Sequence, residues 1–406
     1  MNGSANTPVP ARIAVALGLI GALGPSAVDM YLSSLPEIAR EFEKTFASVQ
    51  LTLTFFLLAM GAGQLLFGPT VDAYGRRKPL LVGLAIFTIC SLGAAWAPSL
   101  EILIGFRFVQ GLGSALTLVV IMSMVRDVST GVAATKLFAM LMTIEGVAPI
   151  LAPAAGGFVD AHYGWRAVML VLAALGVAVF VNSWIALPET LARKNRVPLS
   201  IGTACRTYLA IARDRKFLMP TLAVSAVFFF LFAYIGGATL VYQESYGLSA
   251  QQFGLLFGAT GVTIIFGAMI AGKMVSRLGL GKLSMWGVAC MAMGAMISFA
   301  SAASGVGLAG VVTGMAIALF GLGIAESTLM SLVMSSQEKA LGSTAALLGA
   351  FQLSISSTAT PVAGLMLQYG PEAWTALLAV SALGVCILTK ISVPDRASET
   401  YNLAEH

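Results

Sequence analysis

The sequence predicts an all-α integral membrane protein of twelve transmembrane helices, arranged as two pseudo-symmetric six-helix halves. Three observations carry this prediction. First, 58% of the 406 residues are hydrophobic and only 10% are charged, against about 25% charged in a soluble domain. Second, twelve apolar runs reach the roughly 20 residues that a membrane-crossing helix needs. Third, the two parts of the chain repeat one another. A closed barrel would show short strands of alternating polarity; these runs are long, continuously apolar and rich in Ala, Leu and Gly.

Taken in order, segment 1 covers 13–35, segment 2 covers 48–71, segment 3 covers 79–97, segment 4 covers 100–125, segment 5 covers 136–160 and segment 6 covers 165–187. A charged connection follows at 189–217, within which 203–217 reads as a surface helix. Segments 7 to 12 follow at 218–243, 250–275, 281–301, 306–333, 341–368 and 372–393. This gives an N-terminal half at 1–188, a linker at 189–217 and a C-terminal half at 218–406. No cleavable signal peptide is expected, because Met1–Ala11 carries no basic residue and the first apolar run is too long.

Charge sets the orientation. With both termini in the cytoplasm, 19 of the 23 Lys and Arg residues fall on the inner side, and only Arg40, Lys44 and Arg166 lie in outer loops. This is the positive-inside bias of a multi-pass inner-membrane protein. The net charge of +5 is thereby a topology signal, and nucleic-acid binding is not needed to explain it. The basic linker is expected to lie along anionic membrane lipid. Four scattered cysteines without a CxxC pair and only two histidines, His162 and His406, argue against disulfides and a metal site. No catalytic Ser/His/Asp set or phosphate loop is present, so an enzyme is not expected.

The internal repeat is visible in the loops. Gly68-Pro-Thr-Val-Asp-Ala-Tyr-Gly-Arg-Arg-Lys78, between segments 2 and 3, aligns with the stretch from Gly272 to Lys282 between segments 8 and 9, at an offset of 204. Trp165 and the residues after it echo Trp374 and its followers. Parallel six-helix repeats are a transporter plan, with the substrate site between them near the bilayer midplane.

Two charges inside the spans are the leading candidates for function. A charge at the bilayer centre costs about 2.5–3.5 kcal/mol on insertion scales and faces protein interior or a wet cavity. Asp29 lies five residues outward from the centre of segment 1, and Arg107 five residues outward from the centre of segment 4, each about 7–8 Å at 1.5 Å per residue. At equal depth in one half, the two are placed to pair directly or through water. Asp29 then reads as a protonation site tuned by burial and by Arg107; the plainer reading is a static ion pair, although buried pairs are poor stabilisers on their own. Glu145, near the middle of segment 5, reads as a second proton site or a contact for a cationic substrate. Glu326 in segment 10 either lines the inner cavity or snorkels, and Glu244 at the outer end of segment 7 needs no special role. Tyr31 and Tyr234 are candidates for the cavity wall.

The motifs also resemble a family. Asp29-Met-Tyr-Leu-Ser-Ser-Leu-Pro36, the loop from Gly68 to Lys78, Arg107-Phe-Val-Gln-Gly-Leu-Gly113 and Ala148-Pro-Ile-Leu-Ala-Pro-Ala-Ala-Gly-Gly157 resemble the major facilitator superfamily. Within it the chain is most similar to the twelve-helix drug:proton antiporters of the Bcr/CflA type, which export bicyclomycin and chloramphenicol. The resemblance covers almost the whole chain and implies the major facilitator fold. It implies proton coupling at Asp29 and Arg107. It implies a latch between the halves at Gly68, Asp72, Gly75 and Arg76, with Gly68 allowing close helix approach and Asp72 pairing with Arg76. It implies an outer seal at Gly146, Pro149, Pro153, Gly156 and Gly157, where proline bends the helix and small residues let helices touch.

These readings combine into a proton-coupled efflux antiporter for amphipathic drugs, working by alternating access, with the proton as coupling ion and no cofactor. The expected binding residues are Asp29, Tyr31, Arg107, Glu145 and Tyr234. A monomer in a bacterial inner membrane is expected. The rivals are an exporter of an endogenous metabolite such as a siderophore and a proton-coupled uptake symporter; the segment 5 motif speaks against the latter.

Overall fold

The structure, a computed structural model, describes the backbone of residues 10–128, 131–196, 198–336 and 341–393; within these, the side chains of 126, 131–136, 138, 139, 142, 143, 145, 146, 148–150, 195, 201 and 341 are outside the description. The described chain is all helix: α1 (Ala11–Asp29), α2 (Leu35–Glu41), α3 (Phe46–Tyr74), α4 (Arg77–Ala95), α5 (Leu100–Val128), α6 (Gly131–Ala186), α7 (Ile201–Arg213), α8 (Arg215–Leu240), α9 (Ala250–Leu278), α10 (Leu280–Ala303), α11 (Leu308–Ser335), α12 (Leu341–Met366) and α13 (Pro371–Ser392). Ten stretches among the described residues are long and apolar enough to cross a membrane, which makes this a multi-pass membrane protein. The first arm of α6 and the 26-residue α12 have the length for two further crossings.

Local signals place the ends. Thr45 accepts from the Ser48 N–H at the start of α3, and Asp214 accepts from the Lys216 N–H at the start of α8. Ser249 and Gln252 form a capping box at the start of α9; such side-chain caps satisfy the orphan donors of a first turn. α6 runs for 56 residues with one non-helical break, at Gly164 (φ 76°), so it crosses twice. Its backbone stays helical through Pro153.

The repeat is written in the backbone. Gly75 (φ 92°) ends α3 and Gly279 (φ 74°) ends α9, a left-handed conformation that glycine adopts without a Cβ penalty. Gly164 and Gly370 (φ 95°) play the same part ahead of two fully buried tryptophans, Trp165 and Trp374. Trp165 donates to Glu41 at 2.6 Å and Trp374 to the Ala233 carbonyl at 2.9 Å.

α1, α3, α4, α5 and α6 pack on one another, as do α8 to α13. The groups meet where α3 lies on α12 and where α6 lies on α9. The end of the molecule carrying Arg76, Arg77 and Lys78 is termed the basic face. Segment 1 differs from its expected single helix. It stops at Asp29 and passes through a 3-10 turn (Leu32–Ser34) into α2, whose first turn holds Pro36.

Glycines set the closest packing. Gly287 and Gly294 of α10 face Gly321 and Gly314 of α11 backbone to backbone, which permits the close approach typical of membrane helices. Ser298 adds a hydrogen bond to the Val311 carbonyl at 3.1 Å. A Cβ on Gly314 would overlap the Ser298 backbone. Gly314→Leu is expected to part these helices at a cost of about 1–3 kcal/mol, read as a lowered unfolding temperature of purified protein in detergent.

Candidate functional site

The site is built on the end of α1. Had that helix continued, the Ala27 carbonyl would accept the Tyr31 N–H. The turn after Asp29 withholds that donor, and Arg107 of α5 supplies another, with Nη2 2.9 Å from the Ala27 oxygen. The negative end of a helix dipole favours a cation here. The second fork, Nη1, donates to Gln110 Oε1 at 2.7 Å. Gln110 Nε2 donates to Ser91 Oγ of α4 at 2.7 Å, and Ser91 donates to the Phe87 carbonyl at 2.7 Å.

Two rings enclose the guanidinium. Its carbon lies 4.7 Å from the Tyr31 ring centre and 4.4 Å from that of Phe56 on α3. A desolvated cation–π contact is worth about 2 kcal/mol or more. The Tyr31 hydroxyl meets the Thr52 hydroxyl at 3.0 Å. Since Thr52 donates to the Val49 carbonyl at 2.7 Å, Tyr31 is the donor of that pair. Arg107 is 0% exposed and joins α1, α3, α4 and α5, leaving only its Nε without a partner.

Asp29 sits two residues from the Ala27 carbonyl and is 5% exposed. Among the described residues it has no hydrogen bond and no ion pair. Of the two expected routes to Arg107, direct or through water, the direct contact is not made in this structure. Both residues are buried at the same helix end, but the guanidinium satisfies itself on a backbone carbonyl, a glutamine and two rings, and the carboxyl has no partner among the described residues.

The other candidates divide. The side chains of Glu145, Gly146 and Pro149 lie outside the described residues. Tyr31 is buried beneath Arg107. Tyr234 is 1% exposed. It stacks on Phe257 at 5.3 Å and on Trp374 at 6.3 Å, and its hydroxyl meets Thr260 at 3.0 Å. Neither tyrosine offers surface to a cavity in this conformation, because each ring is spent on packing. Glu326 is part-exposed and has no partner among the described residues.

On the basic face, Arg76 Nη1 donates to Asp72 at 2.6 Å and Nε to Asp127 at 2.9 Å. Burial alone would lower the Arg76 pKa, but Asp127 and Asp72 outweigh it and hold the pKa above its usual value. Glu189 accepts from the N–H groups of Arg76, at 2.9 Å, and Arg77, at 3.4 Å. It also sits where a Cβ on Gly75 would be. Gly68 faces the hydroxyl of Tyr208 on α7. Sequence reasoning missed Asp127 and Glu189; their signals were an acid directly after Arg126 at the end of segment 4 and an acid opening the basic connection 189–217.

At the opposite face the two groups of helices are joined. Gly157 of α6 lies on the Ala250 backbone of α9, and Gly254 lies on the Pro153 carbonyl. Gly156 lies on the Met30 backbone, beside the α1 turn. Gln50 donates to the Gly236 carbonyl at 2.5 Å and Gln243 to the Ser33 carbonyl at 3.2 Å. Glu244 pairs with Arg40 at 3.3 Å, an exposed bridge worth about 0–1 kcal/mol.

The profile of the Major Facilitator Superfamily matches residues 17–361. YdgK of Bacillus subtilis, an uncharacterized MFS-type transporter, is 36% identical over 361 residues, 87% of this chain and 89% of its own length. The chloramphenicol resistance protein of Pseudomonas aeruginosa is 31% identical over 280 residues, 69% of this chain and 65% of its own. Among solved structures, the xylose transporter XylE of E. coli shares the fold, with a TM-score of 0.74 at 15% identity over 95% of this chain and 98% of that one.

Arg107→Lys tests the nest. An ammonium is a point donor without the planar fork, so it cannot hold Ala27 and Gln110 at once while lying between two rings. The expected outcome is a loss of about 1–3 kcal/mol in stability, measured by thermal unfolding in detergent.

Proposed function

The chain belongs to the Major Facilitator Superfamily, and from that premise we propose that this transporter is a proton-coupled antiporter exporting amphipathic drug-like molecules. The observation that carries the reading is the buried carboxyl of Asp29, without a partner among the described residues, at the end of α1, two residues from the carbonyl that Arg107 holds. An acid kept in the interior without a partner is costly, and a reversible proton gives that cost a use. The resistance function named for the Pseudomonas relative supports export of drugs, phenicols among them.

In the proposed cycle the basic face is cytoplasmic, following the positive-inside rule. The groups α1–α6 and α8–α13 rock about a central site. The contacts at the opposite face, Gly157 on Ala250 and Gly254 on Pro153, form the outer gate, in keeping with the antiporter motif. When that gate opens, a proton from outside binds Asp29, with Glu145 as relay. Arg107 then exchanges the Ala27 carbonyl for the Asp29 carboxylate when the proton leaves inward and substrate takes its place. Arg76 and its carboxylates act as the cytoplasmic latch. Substrate moves this equilibrium only by its differential affinity for the two states.

The test is transport into proteoliposomes under an imposed pH gradient, comparing wild type with Asp29→Asn, with chloramphenicol and a fluorescent lipophilic cation as substrates. Gradient-driven accumulation by wild type, lost in the variant while binding persists, is the expected result. A variant that couples normally would make Asp29 structural. If wild type moves neither compound, export of a dedicated metabolite replaces the drug reading.

A further inference from the structure

One of the helices with an interior proline is α3. Pro69 lies inside that helix and has no N–H, so the Leu65 carbonyl, four residues earlier, loses its helical donor. The Tyr208 hydroxyl of α7 points at that oxygen from 3.4 Å, at the long end of hydrogen-bond range. Gly68 keeps the approach open, since a Cβ there would lie 3.3 Å from the same hydroxyl. Burial and the neighbouring Asp72 and Cys205 raise the Tyr208 pKa, so the phenol stays a donor.

α7 is part of the connection between α6 and α8. Ser200 caps its start and Ile211 is buried. Besides meeting α3 through Tyr208, it packs on α8 and α12. One short helix therefore touches both groups at the basic face. The close α3–α12 approaches at Gly61, Gly349 and Gly364 lie further from the basic face than Gly68, where α7 meets α3.

We infer that α7 is a strap across the seam, locked to α3 by Tyr208 supplying the donor that Pro69 withholds from Leu65. Separating α3 from α12 at the basic face then requires α7 to release Leu65 or leave α12. The proline sets the strength of the lock: undocking α7 exposes a carbonyl with no helical donor, which costs more than losing a contact to a satisfied one.

The test is amide hydrogen exchange over 201–213 in purified full-length protein, comparing wild type, Tyr208→Phe, Pro69→Ala and the double variant. Tyr208→Phe keeps the ring and is expected to raise exchange about two- to tenfold, the range that one net hydrogen bond spans. Pro69→Ala restores a backbone donor to Leu65 and is expected to raise exchange as well. The double variant is then no faster than the faster single variant, because both changes act on one carbonyl. Exchange at the wild-type level in Tyr208→Phe would overturn the inference, as would two effects that multiply. No substrate is needed, so the outcome stands apart from the transport reading.

Discussion

Within a bilayer every backbone polar group needs a partner made of protein, and this constraint organises the functional core. α1 ends inside the membrane region, and its Ala27 carbonyl recruits the guanidinium of Arg107. α3 contains a proline, and its Leu65 carbonyl recruits the hydroxyl of Tyr208. In each case a helix that fails locally is joined to another by a side chain. The first repair builds the polar centre of the N-terminal group, and the second ties the connection between the groups to α3. Both forks of that guanidinium are taken, by Ala27 and Gln110, and among the described residues Asp29 has no partner.

Much of this was legible in the sequence. The apolar runs, the repeat at Gly75 and Gly279, and the equal depth of Asp29 and Arg107 all follow from periods and counts. Partner choice did not. Depth places two charges at one level, but only the stop after Asp29 offers Arg107 a carbonyl in place of a carboxylate. Pro36 in the first turn of α2 was a readable sign of that stop, since proline suits the start of a helix. Pro69 likewise announced an orphan carbonyl; which side chain would reach it depended on a tyrosine 139 positions further on. The Tyr234 ring stacks on Phe257 and Trp374, neighbours that the residue type alone does not announce.

The two copies of the repeated loop have diverged in use. Around Arg76 the first copy gathers Asp72, Asp127 and Glu189. In the second, Ser276 stands where the acid was, and among the described residues neither Arg277 nor Lys282 forms an ion pair. The shared backbone turn persists because glycine conformation and helix packing require it. The charge network is not bound by that requirement and is retained on one side only.

α4 has 19 residues, or about 28 Å at 1.5 Å per residue, and unlike the equally long α1 it is not extended by a further helical turn. Arg77, stacked 5.3 Å from the ring of Trp184, opens it, and exposed Trp96 follows its last turn. Arginine and tryptophan prefer the headgroup level, so these anchors act as a caliper on the lipid. α3 and α5, with 29 residues each, tilt or project to fit the same slab. A bilayer much thicker than α4 has to thin around it or draw its anchors into hydrocarbon, at a cost of fractions of a kcal/mol per Å. Lipid chain length therefore belongs among the variables that set how this protein sits and turns over.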